Sequence, residues 1–79
     1  MEGLLAELRK LPQLRERRRG YFSRGGRAVL HFHEDAGDYY ADVKLDSKFQ
    51  RMKVTSSTHQ AHFLTRVKEA FRPNGDPVL

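Results

Sequence analysis

The sequence predicts an α+β domain: a four-stranded antiparallel sheet in α-β-β-β-β-α order, with both helices on one face and the other face open. Three observations carry this. Residues 28–45 alternate apolar and polar on either side of a short turn, the pattern of a half-buried hairpin. Leu4, Leu5, Leu8 and Leu11 form one helical stripe near the start, and Phe63, Leu64, Val67 and Phe71 form another near the end. An antiparallel sheet with a helix before it and a helix after it covers one face and leaves the second to solvent or to a ligand.

Taken in order, the first helix ends at Leu11, because Pro12 disfavours helical geometry at the residue before it. Its polar side mixes Glu2, Glu7, Arg9 and Lys10, which suits a lid over a sheet rather than a membrane-surface helix. The arginine-rich run Arg15–Arg19 leads into Tyr21 and Phe22, the end of a first strand, and Arg24-Gly-Gly-Arg27 is a hairpin turn in which adjacent glycines accept positive φ. No Walker-type phosphate loop is present, since its Gly-Lys-Ser/Thr ending is missing. In the central hairpin Ala28, Leu30, Phe32, Tyr39, Ala41, Val43 and Leu45 belong to the core face. His31, His33, Tyr40, Asp42 and Lys44 belong to the open one.

Alternation also suggests a register. A turn at Asp35-Ala36-Gly37-Asp38 sets Leu30 opposite Val43, His31 opposite Asp42, Phe32 opposite Ala41 and His33 opposite Tyr40. A turn through Asp46–Phe49 sets Val43 opposite Met52, Ala41 opposite Val54, Asp42 opposite Lys53 and Lys44 opposite Arg51. The open face then holds three cross-strand rows: His31, Asp42, Lys53; His33, Tyr40, Thr55; and Val29, Lys44, Arg51. The last helix starts at a capping box, Ser57 with Gln60, and ends near Arg72 before Pro73-Asn74-Gly75, leaving 73–79 as a loose tail.

Size and composition narrow the function. At 79 residues the chain is one small domain, 1–79, with no room for a second. It has no cysteine, so neither a disulfide framework nor a thiolate metal site is available. No apolar run reaches the ~18 residues of a membrane span and the start lacks the order of a signal peptide, which points to a soluble cytoplasmic protein without a membrane partner. The formal net charge of +5 is local: residues 1–27 hold eight basic and three acidic side chains, whereas the remainder holds seven of each. Such a cluster can meet phosphate or an acidic partner.

Three chemistries compete for the open face. A His31–Asp42 pair could orient an imidazole base, but no nucleophile or pocket accompanies it, and an ordinary cross-strand charge pair accounts for it better. Metal binding draws on His31-x-His33 and His59-x-x-His62, yet the strand and helix histidines fall on opposite sides of the sheet, so the four do not converge; only a smaller site of His31, His33 and Asp42 is left. No metal or other cofactor is therefore expected. Nucleic acid could be gripped by Arg15, Arg17, Arg18 and Arg19 and by the basic face, although Tyr40 alone is fewer rings than a base-reading sheet uses.

Leu8-Arg-Lys-Leu-Pro-Gln-Leu-Arg15, Gly26-Arg-Ala-Val-Leu-His-Phe-His-Glu-Asp35 and Tyr40-Ala-Asp-Val-Lys-Leu45 resemble the order Leu-Pro-x-Leu, His-Phe-His and x-Ala-Asp-Leu-x-Leu of the luciferase-domain family, small proteins of bacteria and fungi. The resemblance is partial and covers most of residues 4–45, with His31, Phe32, His33, Ala41 and Asp42 matching and the segment after Leu45 shortened. It implies a small α+β domain, no light-producing reaction and no established catalytic residue. The expectation is a non-enzymatic interaction module whose open face, with His31, His33, Tyr40, Asp42, Lys44, Arg51 and Lys53, binds a protein partner or a second copy of the chain. Nucleic-acid binding is the alternative, and a metal-dependent or His/Asp enzyme the third reading.

Overall fold

The computed structural model describes residues 1–71. It is an α+β fold with two helices and one antiparallel sheet: α1 (Glu2–Arg9), β1 (Arg15–Arg18), β2 (Tyr21–Arg24), β3 (Arg27–Asp35), β4 (Asp38–Leu45), β5 (Lys48–Lys53) and α2 (Ser57–Ala70). The strands follow one another as a meander in the order β1-β2-β3-β4-β5. The expected helix end near Arg72 and the tail at 73–79 lie outside the described residues.

The sheet has five strands, one more than alternation predicts. The extra strand comes from Gly20, which at φ +79° lets the chain turn between Arg18 and Tyr21 and fold the arginine run back on β2. As β1 is an edge strand, its exposed arginines also discourage pairing with another chain. Glu16 ties this hairpin to α1: it accepts two hydrogen bonds from Arg9, at 2.6 and 3.1 Å, and one from the Gly20 N–H at 3.0 Å.

Both helices pack on the same side of the sheet. Leu4, Leu5 and Leu8 of α1 and Phe63 and Val67 of α2 share one core with Phe22, Leu30, Ala41, Val43 and Leu45, and Phe32 meets Phe63 edge-on at 5.9 Å. A β-bulge between β2 and β3 corrects two assignments: Phe22 faces Leu30 while Ser23 faces Ala28, so the inserted Val29 is buried and Ala28 is exposed. Tyr39, expected in the core, is exposed as well. Leu14, which no periodic pattern marks, is buried in the loop after α1.

The β3–β4 register is the expected one, closed by a two-residue turn at Ala36-Gly37. The β4–β5 register differs from expectation by two residues: Ala41 faces Met52, Asp42 faces Arg51 and Lys44 faces Phe49. The cause is the tight turn at Asp46-Ser47, where both residues take positive φ (51° and 69°) instead of opening into a four-residue loop. Val54 leaves the strand yet stays buried, its N–H bonded to the Tyr39 carbonyl at 2.8 Å. The cap of α2 also sits one residue earlier than expected. Ser56 accepts from the His59 N–H at 3.1 Å, and the Gln60 side chain donates to the Val54 carbonyl rather than completing a capping box.

Candidate functional site

The pleat places alternate residues of β3, β4 and β5 on the face opposite the helices: His31 and His33, then Tyr40, Asp42 and Lys44, then Phe49, Arg51 and Lys53. Tyr21 of β2 joins them, because it pairs with His31. The seven open-face residues expected from the sequence are thus on one surface, but their rows change. They run Tyr21, His31, Asp42, Arg51; His33, Tyr40, Lys53; and Lys44, Phe49. The expected rows ending in Lys53, Thr55 and Arg51 are corrected by the two-residue shift of β5. Thr55 instead bridges Asp38 and the Tyr39 backbone.

Rings dominate this surface. Tyr21 stacks on His31 with centroids 5.7 Å apart and planes 10° apart; His31 lies 5.8 Å from His33 and 6.5 Å from Phe49, and His33 lies 5.9 Å from Tyr40. Tyr21 and Phe49 are 39% and 53% exposed, high values for large apolar side chains. Cations frame the rings. The Arg18 guanidinium sits 4.2 Å from the Tyr21 centroid and that of Arg51 lies 6.0 Å from the Tyr40 centroid. Sequence reasoning missed Tyr21 because its strand had no assigned register against β3, and missed Phe49 because it was assigned to a turn.

Asp42 is the centre of the polar contacts. Arg51 donates to it through Nε at 2.9 Å and Nη2 at 3.3 Å, and the Nε2 atoms of His31 and His33 lie 3.2 and 3.3 Å from Oδ2. The hydrogen bonds from Arg51 hold the Asp42 carboxyl below its usual range against the opposing push of burial, and His33 acts in the same direction as Arg51. The carboxylate in turn raises Arg51 above its ordinary value. Lys53 pairs with Asp38 at 3.5 Å instead of with Asp42.

The arginine run divides between the two sides of the sheet. Arg17 and Arg18 line a shallow groove of about 330 Å³ with Tyr21 and His31, so the basic edge continues into the ring surface. Arg15 is exposed at the start of the same strand, whereas Arg19 turns to α1 and forms an ion pair with Glu2. His59 and His62 flank the β5 edge beside Arg51, Met52 and Lys53. Among the described residues the only group of histidines and carboxylates close enough to share an ion is His31, His33 and Asp42.

No described helix is long and apolar enough to cross a membrane. No family model matches the chain, and neither does a curated protein or a solved structure.

Proposed function

We propose that the chain is a binding module that takes single-stranded nucleic acid on its open sheet face. The observation that carries this reading is the run of contacting rings, Tyr21, His31, His33, Tyr40 and Phe49, bracketed by Arg18, Lys44, Arg51 and Lys53. Base–aromatic stacking is worth about 1–3 kcal/mol per base, and neighbouring cations supply the attraction to phosphate. Arg18 covers one face of Tyr21, and its planar guanidinium is itself a surface on which a base stacks. Asp42 adds little repulsion, since Arg51 neutralises it.

Single strands fit this surface better than a duplex. The exposed rings of Tyr21 and Phe49 offer stacking surfaces to unpaired bases, which a duplex keeps inside its own stack. The role is a binding one; the resemblance to the luciferase-domain family adds no reaction to it. A protein partner on the same face, including a second copy of the chain, is the competing occupant, and its signature is self-association without nucleic acid.

Fluorescence anisotropy with a labelled single-stranded oligonucleotide and the matching duplex, at several salt concentrations, tests this proposal. The single strand binds more tightly, and its affinity falls with salt at a logarithmic slope of about −0.7 per phosphate neutralised. Equal duplex affinity, or no binding at low salt together with a concentration-dependent dimer in sedimentation, overturns it.

A further inference from the structure

The ring surface has a polar centre that stacking leaves unused. His31 and His33 stand two residues apart on β3 and so point the same way, while Asp42 faces His31 from β4. Both imidazole Nε2 atoms approach the same carboxylate oxygen, Oδ2, at 3.2 and 3.3 Å, and all three donor atoms lie within 4.8 Å of one another. Around a Zn²⁺ ion with bonds of about 2.0–2.1 Å, tetrahedral geometry sets ligand atoms roughly 3.3 Å apart. Two of the three separations therefore already match the edges of such a site.

A second observation points to a ligand. His33 Nε2 is closed off from solvent, and its 3.3 Å contact with Asp42 Oδ2 falls short of good hydrogen-bond geometry. Polar atoms that are buried in a finished structure find a partner, and this one lies within 4.8 Å of the other two donor atoms. The surroundings hold the donors in place: Tyr21 stacks on His31, Tyr40 lies against His33, and Arg51 grips Asp42 at Oδ1 through its shorter bond of 2.9 Å. Supporting contacts of this kind orient metal ligands.

We propose that His31, His33 and Asp42 bind one divalent transition-metal ion, with the remaining coordination positions open toward solvent on the sheet face. Two imidazoles and one carboxylate suit Zn²⁺, Co²⁺, Ni²⁺ or Fe²⁺; Mg²⁺ and Ca²⁺ prefer all-oxygen sites. On binding, Oδ2 exchanges its longer contact with Arg51 Nη2, 3.3 Å, for the ion, and Oδ1 keeps the shorter one. The open positions could accept water or a phosphate oxygen. This inference does not rest on the nucleic-acid reading, because it concerns the ion alone and its test contains no oligonucleotide.

The experiment is titration of chelator-treated protein with Zn²⁺ against a chromophoric competitor, with Co²⁺ as the spectroscopic probe. One ion binds per chain, Co²⁺ gives visible d–d absorption, and the thermal midpoint rises with added Zn²⁺. H31A and H33A each weaken binding by about tenfold or more, while their far-UV circular dichroism matches the parent chain. The double variant H59A/H62A binds as the parent does. Absence of Zn²⁺ binding at micromolar concentrations, affinity within about threefold of the parent in H33A, or loss of binding in H59A/H62A overturns the proposal.

Discussion

At the scale of single residues, two carboxylates organise the charged contacts, and neither role is visible from charge counting. Asp42 was legible as the middle of a polar row, because alternation on β3 and β4 pairs it with His31. That Arg51 and not Lys53 completes the row was not legible, since the choice depends on the length of a turn whose residues accept either geometry. Glu16 was less legible still. Its partners Arg9 and Gly20 come together only when β1 folds back toward α1, and the hydrogen bonds from Arg9, then that from the Gly20 N–H, lower its pKa. A carboxyl depressed in the folded state stabilises the fold above its unfolded pKa, and loses that contribution as pH falls through the folded value. Glu16→Gln therefore costs about 1 kcal/mol at neutral pH, and the difference from the parent shrinks toward zero on acidification. Urea denaturation of both proteins at neutral and strongly acidic pH measures this. A gap that persists in acid contradicts it.

Among the elements, the two helices and the central hairpin were legible because each repeats a period over several residues. What alternation cannot supply is absolute register: a shift of two residues keeps every side chain on its face and changes only its neighbours. That is how β5 moved without disturbing the core, and how Phe49 came from an expected turn onto the open face. The arginine run failed as a strand signal for a different reason. An edge strand with one exposed side has little need of apolar residues, and only Gly20 marks its turn. The β4–β5 turn makes a prediction at this scale. Ser47 is held at φ 69°, a conformation that glycine adopts without steric cost. Ser47→Gly raises stability by about 0.5–1 kcal/mol while leaving the register intact, because the two-residue turn with positive φ at both positions favours glycine there. A lower thermal midpoint, or loss of the amide contacts between Leu45 and Lys48, counts against the turn geometry.

For the whole molecule, one core must hold five strands and two helices together without a disulfide. A single core in a chain this short rarely supplies more than about 3–5 kcal/mol. Phe63 is fully buried between α2 and the sheet, and truncating a buried phenylalanine costs about 3–5 kcal/mol. Phe63→Ala accordingly leaves a large unfolded fraction at room temperature, seen as loss of cooperative melting by circular dichroism; a sharp transition close to the parent's contradicts the single-core account. The same economy bears on where the proposed binding takes place. The helix side of the sheet is committed to stability, so the opposite face, with its rings and cations, is free to bind. The most direct test of that claim is the affinity of a short labelled single strand for the parent and for Y21A/F49A, two positions whose exposure lets them be truncated without opening the core. Loss of stacking at both rings weakens binding roughly fivefold to a hundredfold for each base released, with the salt dependence retained. Unchanged affinity in the double variant would contradict the account.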